Sequence, residues 1–334
     1  MPADAAAARF GTLHAGYESY YLRATDPAGG RGCWIRYTVR IAPDEEPSGS
    51  LWFTWFDREG PTATKQTTPG VAGAAGQDGP WLEVAGGRIE SGRAIGEISC
   101  VADRPPVRWD LAFAGEPPLK HLGGSWRYTA SLPRTKPVSI HPMACLSGTV
   151  GIGEREYAVH DWPGMVGHNW GTQHAERWIW LHGMRFDGYD DSTWLDVVLG
   201  RIQVGPVLMP WIASGAMSVE GERIRVGGIA RVLGTHVRER PTGASLRLPG
   251  SSGSHIGVEV GAPSERFVGW EYASPDGRTH DVANCSIADI EVAVQRSRRP
   301  NLLLRATGTA AYELGMHEHD HGIAIQPFPD GPAR

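Results

Sequence analysis

Short runs that alternate β-forming and polar residues recur along almost the whole chain, and turn-forming residues separate them. Residues 33–41 (CWIRYTVRI), a turn through residues 43–49, and the return run at residues 50–57 (SLWFTWFD) predict a β-hairpin. Further strands are predicted near residues 94–101, 107–113, 125–131, 138–151, 155–160, 177–186, 193–204, 215–220, 223–233, 255–260, 266–273, 286–295 and 302–312. With 44 glycines and 25 prolines to break these runs, the pattern predicts an all-β chain with few helices.

So many strands need closure or stacking to protect their edges, and a barrel of about eight strands can enclose one small ligand. A weak internal echo indicates two such units. Trp34-Ile35 opens one strand, Trp178-Ile179 opens another, and each return strand also carries a tryptophan. We therefore expect two related β-barrels or sandwiches joined near residues 153–165. Residues 68–80, rich in glycine and alanine, predict a flexible surface loop.

Charge and missing motifs exclude several classes of protein. The net charge is -5, and only three lysines are present, at Lys65, Lys120 and Lys136, so nucleic-acid binding is disfavoured. The sequence holds no apolar run of transmembrane length and its start lacks a secretory signal pattern, so we expect a cytoplasmic protein without a transmembrane segment. GxSxG, GxGxxG and GxxxxGK[ST] are absent. The oligomeric state is left open, a homo-oligomer included.

One hairpin concentrates aromatic and titratable side chains. Because alternate residues of a strand point the same way, one face of residues 177–186 carries Trp178, Trp180, His182 and Met184. Residues 187–191 (DGYDD) form the predicted turn, and the return strand places Trp194, Asp196 and Val198 on one face. A turn centred on Tyr189 predicts three cross-strand pairs, His182 with Asp196, Met184 with Trp194, and Trp180 with Val198.

This face predicts acid chemistry beside an aromatic wall. A carboxyl group among indoles is poorly solvated, so we expect a raised pKa for Asp196 and a role as general acid. His182 would relay or orient its proton, and indole faces attract cations. Protonating an alkene or ionising a tertiary alcohol needs this combination. The alternative is structural, since tryptophans on alternate strand positions often only pack and a His opposite an Asp is often a satisfied pair.

Residues 167–171 (GHNWG), followed by Trp178-Ile179-Trp180, resemble the carotenoid 1,2-hydratase/AttH-like family, as do residues 17–21 (YESYY) and the Trp34 strand. That family includes hydroxyneurosporene synthases, cyclases and Diels–Alderases. The resemblance implies two lipocalin-like β domains, assigned here to residues 1–160 and 161–334. It also implies addition or removal of water at an isoprenoid double bond, or cyclisation, without a cofactor. His168 and Trp170 are the catalytic candidates it indicates, with Asp196 on a following strand.

The full set of candidate residues follows from the hairpin and the resemblance together. Glu18 is a second candidate acid because tyrosines surround it, although it would also fit an ordinary exposed position before a strand. The motif at residues 168–171 has a structural alternative too, in which Gly171 supplies special backbone geometry. The catalytic candidates are Asp196, His168, His182, Trp170 and Glu18. The substrate-binding candidates are Trp178, Trp180, Trp194, Tyr20, Tyr21, Asn169 and Met184.

Residues 317–321 (HEHDH) formally match the zinc motif HExxH, which needs a helix to bring both histidines onto one face. Gly315 precedes the segment and a strand-like run follows, so no resident metal is expected. The predicted function is cofactor-independent hydration, dehydration or cyclisation of a hydrophobic terpenoid or polyketide. A non-catalytic carrier or sensor of hydrophobic ligands is the second hypothesis, and a zinc-dependent hydrolase is the third.

Overall fold

A computed structural model describes residues 5–12, 14–43, 45–70, 79–99, 101, 103–297 and 299–328. In these ranges the chain forms two large antiparallel sheets, which confirms the all-β prediction. Five short 3₁₀ helices accompany them at Phe10–Thr12, Ser125–Tyr128, Ile229–Gly234, Ser251–Gly253 and Ser264–Arg266. No helix in the described ranges has the length and apolar character needed to cross a bilayer. Residues 71–78 of the predicted surface loop lie outside the described residues.

The first sheet is built by the first half of the chain. Its strands are β1 (Gly16–Thr25), β2 (Gly32–Ile41), β3 (Ser48–Phe56), β4 (Thr62–Pro69), β5 (Leu82–Val84), β6 (Gly87–Glu90), β7 (Arg93–Ile98), β8 (Val107–Gly115), β9 (Leu119–Lys120), β10 (Thr135–Ile152) and β11 (Arg155–Gly171). Their order is β4-β3-β2-β1-β11-β10-β8-β7-β6-β5, with β9 paired to β10. The sheet curls on itself, since a Cβ added at Gly87 would lie 2.7 Å from Leu51 of β3.

The second half of the chain repeats this plan. Its strands are β12 (Arg177–Met184), β13 (Trp194–Arg201), β14 (Gln203–Val204), β15 (Val207–Leu208), β16 (Ile212–Val219), β17 (Glu222–Gly227), β18 (His236–Arg240), β19 (Gly243–Pro249), β20 (His255–Gly261), β21 (Val268–Ala273), β22 (Thr279–Gln295) and β23 (Leu302–Met316). The sheet order is β17-β16-β13-β12-β23-β22-β20-β19-β18, with β21 on β22. β14 and β15 pair separately.

The two sheets divide later than residues 160/161, where the sequence places the boundary. β11 continues past that point and stays in the first sheet through Gly171, and β12 opens the second sheet at Arg177. The segment Asp161-Trp162-Pro163-Gly164 looks like a strand break in the sequence. A positive φ of 51° at Asp161 takes up the irregularity instead, so the strand is not interrupted.

The face-to-face contact of the two sheets forms one continuous layer of side chains. All ten residues of β1 are buried. Its even-numbered residues, such as Tyr20 and Leu22, pack into the core enclosed by the first sheet. Its odd-numbered residues, such as Tyr21 and Arg23, face the second sheet, where Tyr21 packs in one core with Trp180. We call this second environment the intersheet layer.

Three segments differ from their predictions for local reasons. β1 was not predicted as a strand because a strand covered on both faces shows no polar alternation. Residues 125–131, predicted as a strand, begin with a 3₁₀ helix whose Trp126 is 66% exposed. The strand predicted at residues 223–233 ends at Gly227, because Gly227 and Gly228 have φ values of 70° and 106° and turn the chain.

Candidate active site

The aromatic hairpin has the predicted register. β12 and β13 pair His182 with Asp196, Met184 with Trp194, and Trp180 with Val198. The β12 residues of these pairs are fully or almost fully buried, and so are Trp194 and Asp196. The face they share lies against β1 and β10 of the first sheet rather than inside a barrel. The site is therefore located between the two halves of the chain.

Asp196 is held by two side chains of the first half. Ser139 on β10 donates a short hydrogen bond to Asp196 Oδ2, and His121 Nε2 lies 3.0 Å from Ser139 Oγ and 3.6 Å from Asp196 Oδ2. His121 Nδ1 lies 3.1 Å from the carbonyl oxygen of Ser214, which only accepts, so Nδ1 carries a proton. All three side chains are at least 98% buried. Asp196, Ser139 and His121 thus form a closed hydrogen-bonded chain.

This chain reverses the predicted shift of the Asp196 pKa. Burial does raise it, but the positive charge and hydrogen bonding of His121, together with His182 and Ser139, outweigh burial and lower the pKa below its ordinary value. His121 and Ser139, which contribute to the lowered pKa, belong to the first half of the chain, so the hairpin sequence alone does not reveal them. The resting form of Asp196 is a carboxylate, and the expectation of a raised pKa is wrong.

His182 is a neutral positioning residue in the resting protein. Its Nε2 donates to the carbonyl oxygen of Pro142 at 2.7 Å, and its Nδ1 accepts from Arg23 Nη1 at 2.9 Å. Burial, reinforced by the charge of Arg23, lowers the His182 pKa to about 4. Arg23 also donates to the carbonyl oxygens of Ser286 and Thr309, so it ties β1 to β22 and β23. Both ring nitrogens of His182 are therefore occupied.

Most of the predicted substrate-binding residues line the intersheet layer. Tyr21 and Trp180 meet edge to face with ring centroids 5.3 Å apart. Trp194 and Met184 pack in one cluster with Leu119 and Met143 of the first half. The remaining members of the group in this layer are Trp178, whose Nε1 donates to Glu313, and Asn169, which pairs with Ser19 across β11 and β1. Aromatic side chains from both halves therefore flank the Asp196 side of the layer.

Glu18, His168, Trp170 and Tyr20 lie elsewhere, on the opposite face of the first sheet. His168 Nε2 contacts Glu18 Oε1 at 2.7 Å, and His168 Nδ1 contacts the carbonyl oxygen of Ala5 at 2.8 Å. The His168 ring stacks between Tyr20 and Trp170, at centroid distances of 4.1 and 4.6 Å. His168 is consequently a partner of Glu18 and not of Asp196, and Glu18 is 0% exposed instead of being a surface residue.

The N-terminal segment covers this Glu18–His168 pair. The backbone N–H of Arg9 donates to both Glu18 oxygens at 2.9 Å, and that of Phe10 donates to Oε2 at 2.6 Å. Both Glu18 oxygens thus accept hydrogen bonds from the backbone, and both His168 nitrogens lie against acceptor oxygens. Every polar atom of the pair is engaged within the chain. The arrangement is that of a buried ion pair that anchors the N-terminal segment.

The two glycines that flank the HNW sequence lie where any larger side chain would clash with a neighbour. A Cβ at Gly167 would lie 2.2 Å from the Tyr21 ring, and a Cβ at Gly171 would lie 2.0 Å from the carbonyl oxygen of Arg134. Gly167 thereby leaves room for the Tyr21 ring to lie across β11 in the intersheet layer. The motif therefore contributes to both faces of β11, with Gly167 on the intersheet face and His168 on the opposite face.

The HEHDH segment lacks the helix that the HExxH zinc motif requires. It follows β23 without forming a helix, and His319 and His321 both hydrogen bond to Asp281 Oδ2, at 2.9 and 3.0 Å. His317 instead contacts Glu176 at 3.0 Å. Across the ranges that the structure describes, no group of three or more His, Cys, Asp or Glu side chains is arranged to hold a metal ion. The run predicted to follow as a strand makes only an isolated bridge from Ile325 to Gly269.

Sequence reasoning missed the residues contributed by the first half. Ser139 lies in a predicted strand, but nothing marks it as a partner of Asp196, and His121 lies outside every predicted strand. Arg36 left a usable signal, because it alternates with Trp34 and Thr38 on the predicted strand 33–41. An arginine between apolar and small polar residues on one strand face indicates a charge that folding will cover.

Comparisons with known proteins agree with this fold. No family model matches the chain. Two uncharacterised proteins of Mycobacterium tuberculosis, from strains CDC 1551 and H37Rv, are each 26% identical over 328 residues, which cover 94% of this chain and 89% of theirs. The sequence similarity to these two proteins thus covers almost the full length of this chain.

Two solved structures have the same architecture. An AttH-like protein of Nitrosomonas europaea is 12% identical, with a TM-score of 0.55 over 93% of this chain and 94% of that one. The chain has the double lipocalin-like fold. Kievitone hydratase of Nectria haematococca is 9% identical, with a TM-score of 0.54 over 93% of this chain and 91% of its own. The resemblance indicated by the sequence is confirmed for the fold.

Proposed function

We propose that this protein is a cofactor-independent hydro-lyase or cyclase. It binds a hydrophobic terpenoid or polyketide in the intersheet layer, and Asp196 exchanges a proton with that substrate. The observation that carries the proposal is the state of the Asp196 carboxylate. Oδ2 is bound by Ser139, whereas the buried Oδ1 has no hydrogen-bond partner among the described residues. A buried carboxylate oxygen left unpaired in this way is costly for the fold, and functional sites are where such costs are retained.

Other polar atoms of the same layer share this condition. These buried atoms, which have no hydrogen-bond partner in the described part of the chain, include Trp180 Nε1, Trp194 Nε1, Asn169 Oδ1, Asn284 Oδ1 and Arg36 Nη1. They belong to side chains on the facing sides of the two sheets. A mainly apolar site with a few polar atoms available for orientation is typical of small-molecule binding.

The Asp196–Ser139–His121 chain supplies a proton without a cofactor. Ser139 donates its proton to Asp196, so the Ser139 oxygen accepts a hydrogen bond from His121 Nε2. Movement of one proton from His121 Nε2 to Ser139, and of the Ser139 proton to Asp196, leaves neutral imidazole and a carboxylic acid. Asp196 is then able to donate a proton in one step and to accept one in the next.

In the hydration direction, the acid form of Asp196 gives its proton to one alkene carbon, and the positive charge is left on the neighbouring carbon. The rings of Trp180, Trp194 and Tyr21 lower the energy of that cation. Water attacks it, and the proton that the water loses returns to the carboxylate. One double bond and one water thus become one alcohol, and Asp196 is restored. Dehydration is the reverse, and attack by a second double bond in place of water gives cyclisation.

One of the solved structures is consistent with this class of reaction. One of the two proteins that share the fold is named a hydratase, which agrees with chemistry that adds or removes water. The proposal for this chain rests on the geometry around Asp196.

The test is turnover of linear terpenoid alcohols and polyenes in ¹⁸O-labelled water, followed by mass spectrometry. We expect a dehydrated, cyclised or ¹⁸O-containing product with the unaltered protein, and a loss of at least about 100-fold in Asp196→Asn. Asp191→Asn is the matched control, because Asp191 lies exposed in the same hairpin and pairs with Arg185 on the surface. It should retain full activity.

Full activity in Asp196→Asn would remove that residue from the mechanism. Substrate that binds and is recovered unchanged would favour the carrier hypothesis instead. If no compound of the panel bound and no product formed, the proposed substrate class would be contradicted.

A further inference from the structure

Arg36 of β2 is a buried cation with a free donor. It is 6% exposed, and its Nε donates to Ser19 Oγ at 2.7 Å. Its guanidinium lies 4.1 Å from the ring centroid of Tyr272 in the second sheet and 5.3 Å from that of Trp52. Nη1 is buried without a hydrogen-bond partner. Among the described residues no carboxylate lies within 4.0 Å of it. Aromatic faces hold this guanidinium in place, but they do not neutralise it.

The charge of the intersheet layer has the same sign. Arg23 and Arg36 are both buried on the first-sheet side of the layer. Asp196 is paired with His121, which leaves Glu313 as the remaining buried carboxylate of the described part of this layer. Two cations therefore face one anion, and a layer with excess positive charge favours an anionic guest.

Glu313 does not take the place of such a guest. Its Oε1 accepts from Trp178 at 2.9 Å and its Oε2 accepts from Asn284 at 2.9 Å, so both oxygens are engaged with neutral donors. The Nη1 of Arg36 is therefore left as an unpaired, positively charged donor. A guanidinium fork with a free N–H is suited to a planar oxyanion.

Arg36 and Asp196 lie on opposite sides of one side chain. Tyr21 is directly paired with Arg36 in the β1–β2 register. On its other side, the Tyr21 ring meets Trp180, which neighbours His182 and therefore the Asp196 position. Aromatic side chains therefore occupy the stretch between Arg36 and Asp196.

We propose that Arg36 forms a head-group subsite for a substrate oxyanion, a carboxylate or an acidic phenol, whose apolar body extends past Tyr21 to the reacting carbons at Asp196. This deepens the proposed function and rests on it. The substrate class narrows from hydrophobic molecules in general to amphipathic ones with an acidic group at one end. A neutral hydrocarbon would leave the Arg36 charge buried and unpaired.

The test compares acids with alcohols that have the same carbon skeleton. Farnesoic acid with farnesol, and cinnamic acid with cinnamyl alcohol, are titrated into the full-length protein by calorimetry and tryptophan fluorescence. In the unaltered protein we expect at least one acid to bind about tenfold or more tightly than its alcohol. Arg36→Gln should reduce this preference to about twofold or less, through loss of affinity for the acid alone.

Two further variants separate the subsite from general effects on the fold. Arg108→Gln makes the same change in the first sheet, where Arg108 pairs with Glu156 at the surface, and should keep the preference. Arg36→Lys keeps the charge but not the planar fork, so an intermediate preference is expected even where Arg36→Gln is poorly folded. Equal binding of acid and alcohol, a preference that survives in both Arg36 variants, or no binding of either acid would overturn the subsite.

Asp196→Asn distinguishes this proposal from the proposed function. It should retain the preference for acids while turnover is lost, because the two residues lie at different ends of the layer. Acid-selective binding without turnover in the unaltered protein would contradict the reaction alone. Turnover of neutral alcohols that is unaffected by Arg36→Gln would contradict the subsite alone.

Discussion

Asp196 shows how strongly one residue depends on partners distant in sequence. Its own hairpin surrounds it with indoles, which would favour the neutral acid. Ser139 and His121 approach from the first half and favour the carboxylate. Desolvation raises the Asp196 pKa, but the charge and hydrogen bonding supplied by His121, His182 and Ser139 together outweigh it. The ability of Asp196 to exchange a proton therefore depends on the first half being in place.

Ser139→Ala should uncouple Asp196 from His121. One of the interactions that lower the Asp196 pKa is lost, so that pKa rises and the acidic limb of the kcat/KM profile shifts to higher pH. We expect activity at the optimum to fall by about 10- to 100-fold. Ser147→Ala is the matched control on β10, because Ser147 bonds to Asp161 at the surface. An unchanged pH profile in Ser139→Ala would show that the chain does not set the state of Asp196.

Glu18→Gln tests the second candidate acid. Removing the carboxylate leaves His168 buried without its partner, so we expect a loss of about 3 kcal/mol in the free energy of unfolding, measured with denaturant. Glu156→Gln, which breaks an exposed pair with Arg108, should cost less than about 0.5 kcal/mol. The folded Glu18→Gln protein should keep its turnover. Loss of turnover at unchanged stability would instead assign Glu18 to catalysis.

At the scale of the element, β1 and β11 each serve two environments. Their pairing aligns Glu18 with Trp170 and Tyr20 with His168 on one face, and Ser19 with Asn169 and Tyr21 with Gly167 on the other. The first face closes around the ion pair under the N-terminal segment, and the second forms part of the intersheet layer. Since side chains alternate along a strand, adjacent residues of a single motif are separated into two sites.

Gly167→Ala should disturb the intersheet layer without touching Asp196. The added Cβ would lie 2.2 Å from the Tyr21 ring, so Tyr21 has to move toward Trp180. We expect about 1–3 kcal/mol of destabilisation, with reduced ligand affinity. Gly200→Ala on β13 is the control, because its Cβ would meet only Ala175 at an ordinary 3.6 Å. Unchanged affinity and stability in Gly167→Ala would contradict the proposed position of Tyr21.

At the scale of the whole molecule, the two halves share one core. The hydrophobic cluster of the second half extends into the first half through Tyr21, Trp34, Trp52 and other side chains. Trp52 packs against Trp270 and Tyr272, with ring centroids 5.2 and 5.3 Å apart. Two sheets that bury aromatic rings against each other to this extent should unfold together.

Trp52→Ala should destabilise both halves at once. We expect a loss of about 3–5 kcal/mol and a single calorimetric transition at a lower temperature. Trp126→Ala is the control, because Trp126 is 66% exposed, and should change the free energy of unfolding by less than about 0.5 kcal/mol. Two separate transitions in either the unaltered protein or Trp52→Ala would show that the halves fold independently.

The sequence by itself determined the features that depend on local periodicity. Alternating runs and turn residues indicated the all-β class, and the register of the β12–β13 hairpin was predicted correctly because its turn sets that register. β1 was missed since a strand buried on both faces loses the polar alternation that identifies strands. β11 was predicted too short because its break-like sequence is absorbed by one irregular residue.

Only the tertiary structure decided which residues act together. His121 and Ser139 meet Asp196, and Arg36 meets Tyr272, across the contact between two sheets whose residues are far apart in the chain. His168 and Trp170 were separated from Asp196 because strand alternation turned them toward Glu18. Periodicity specifies which face a side chain occupies, but the charge and hydrogen bonding of a buried group depend on whatever the opposite sheet places against that face.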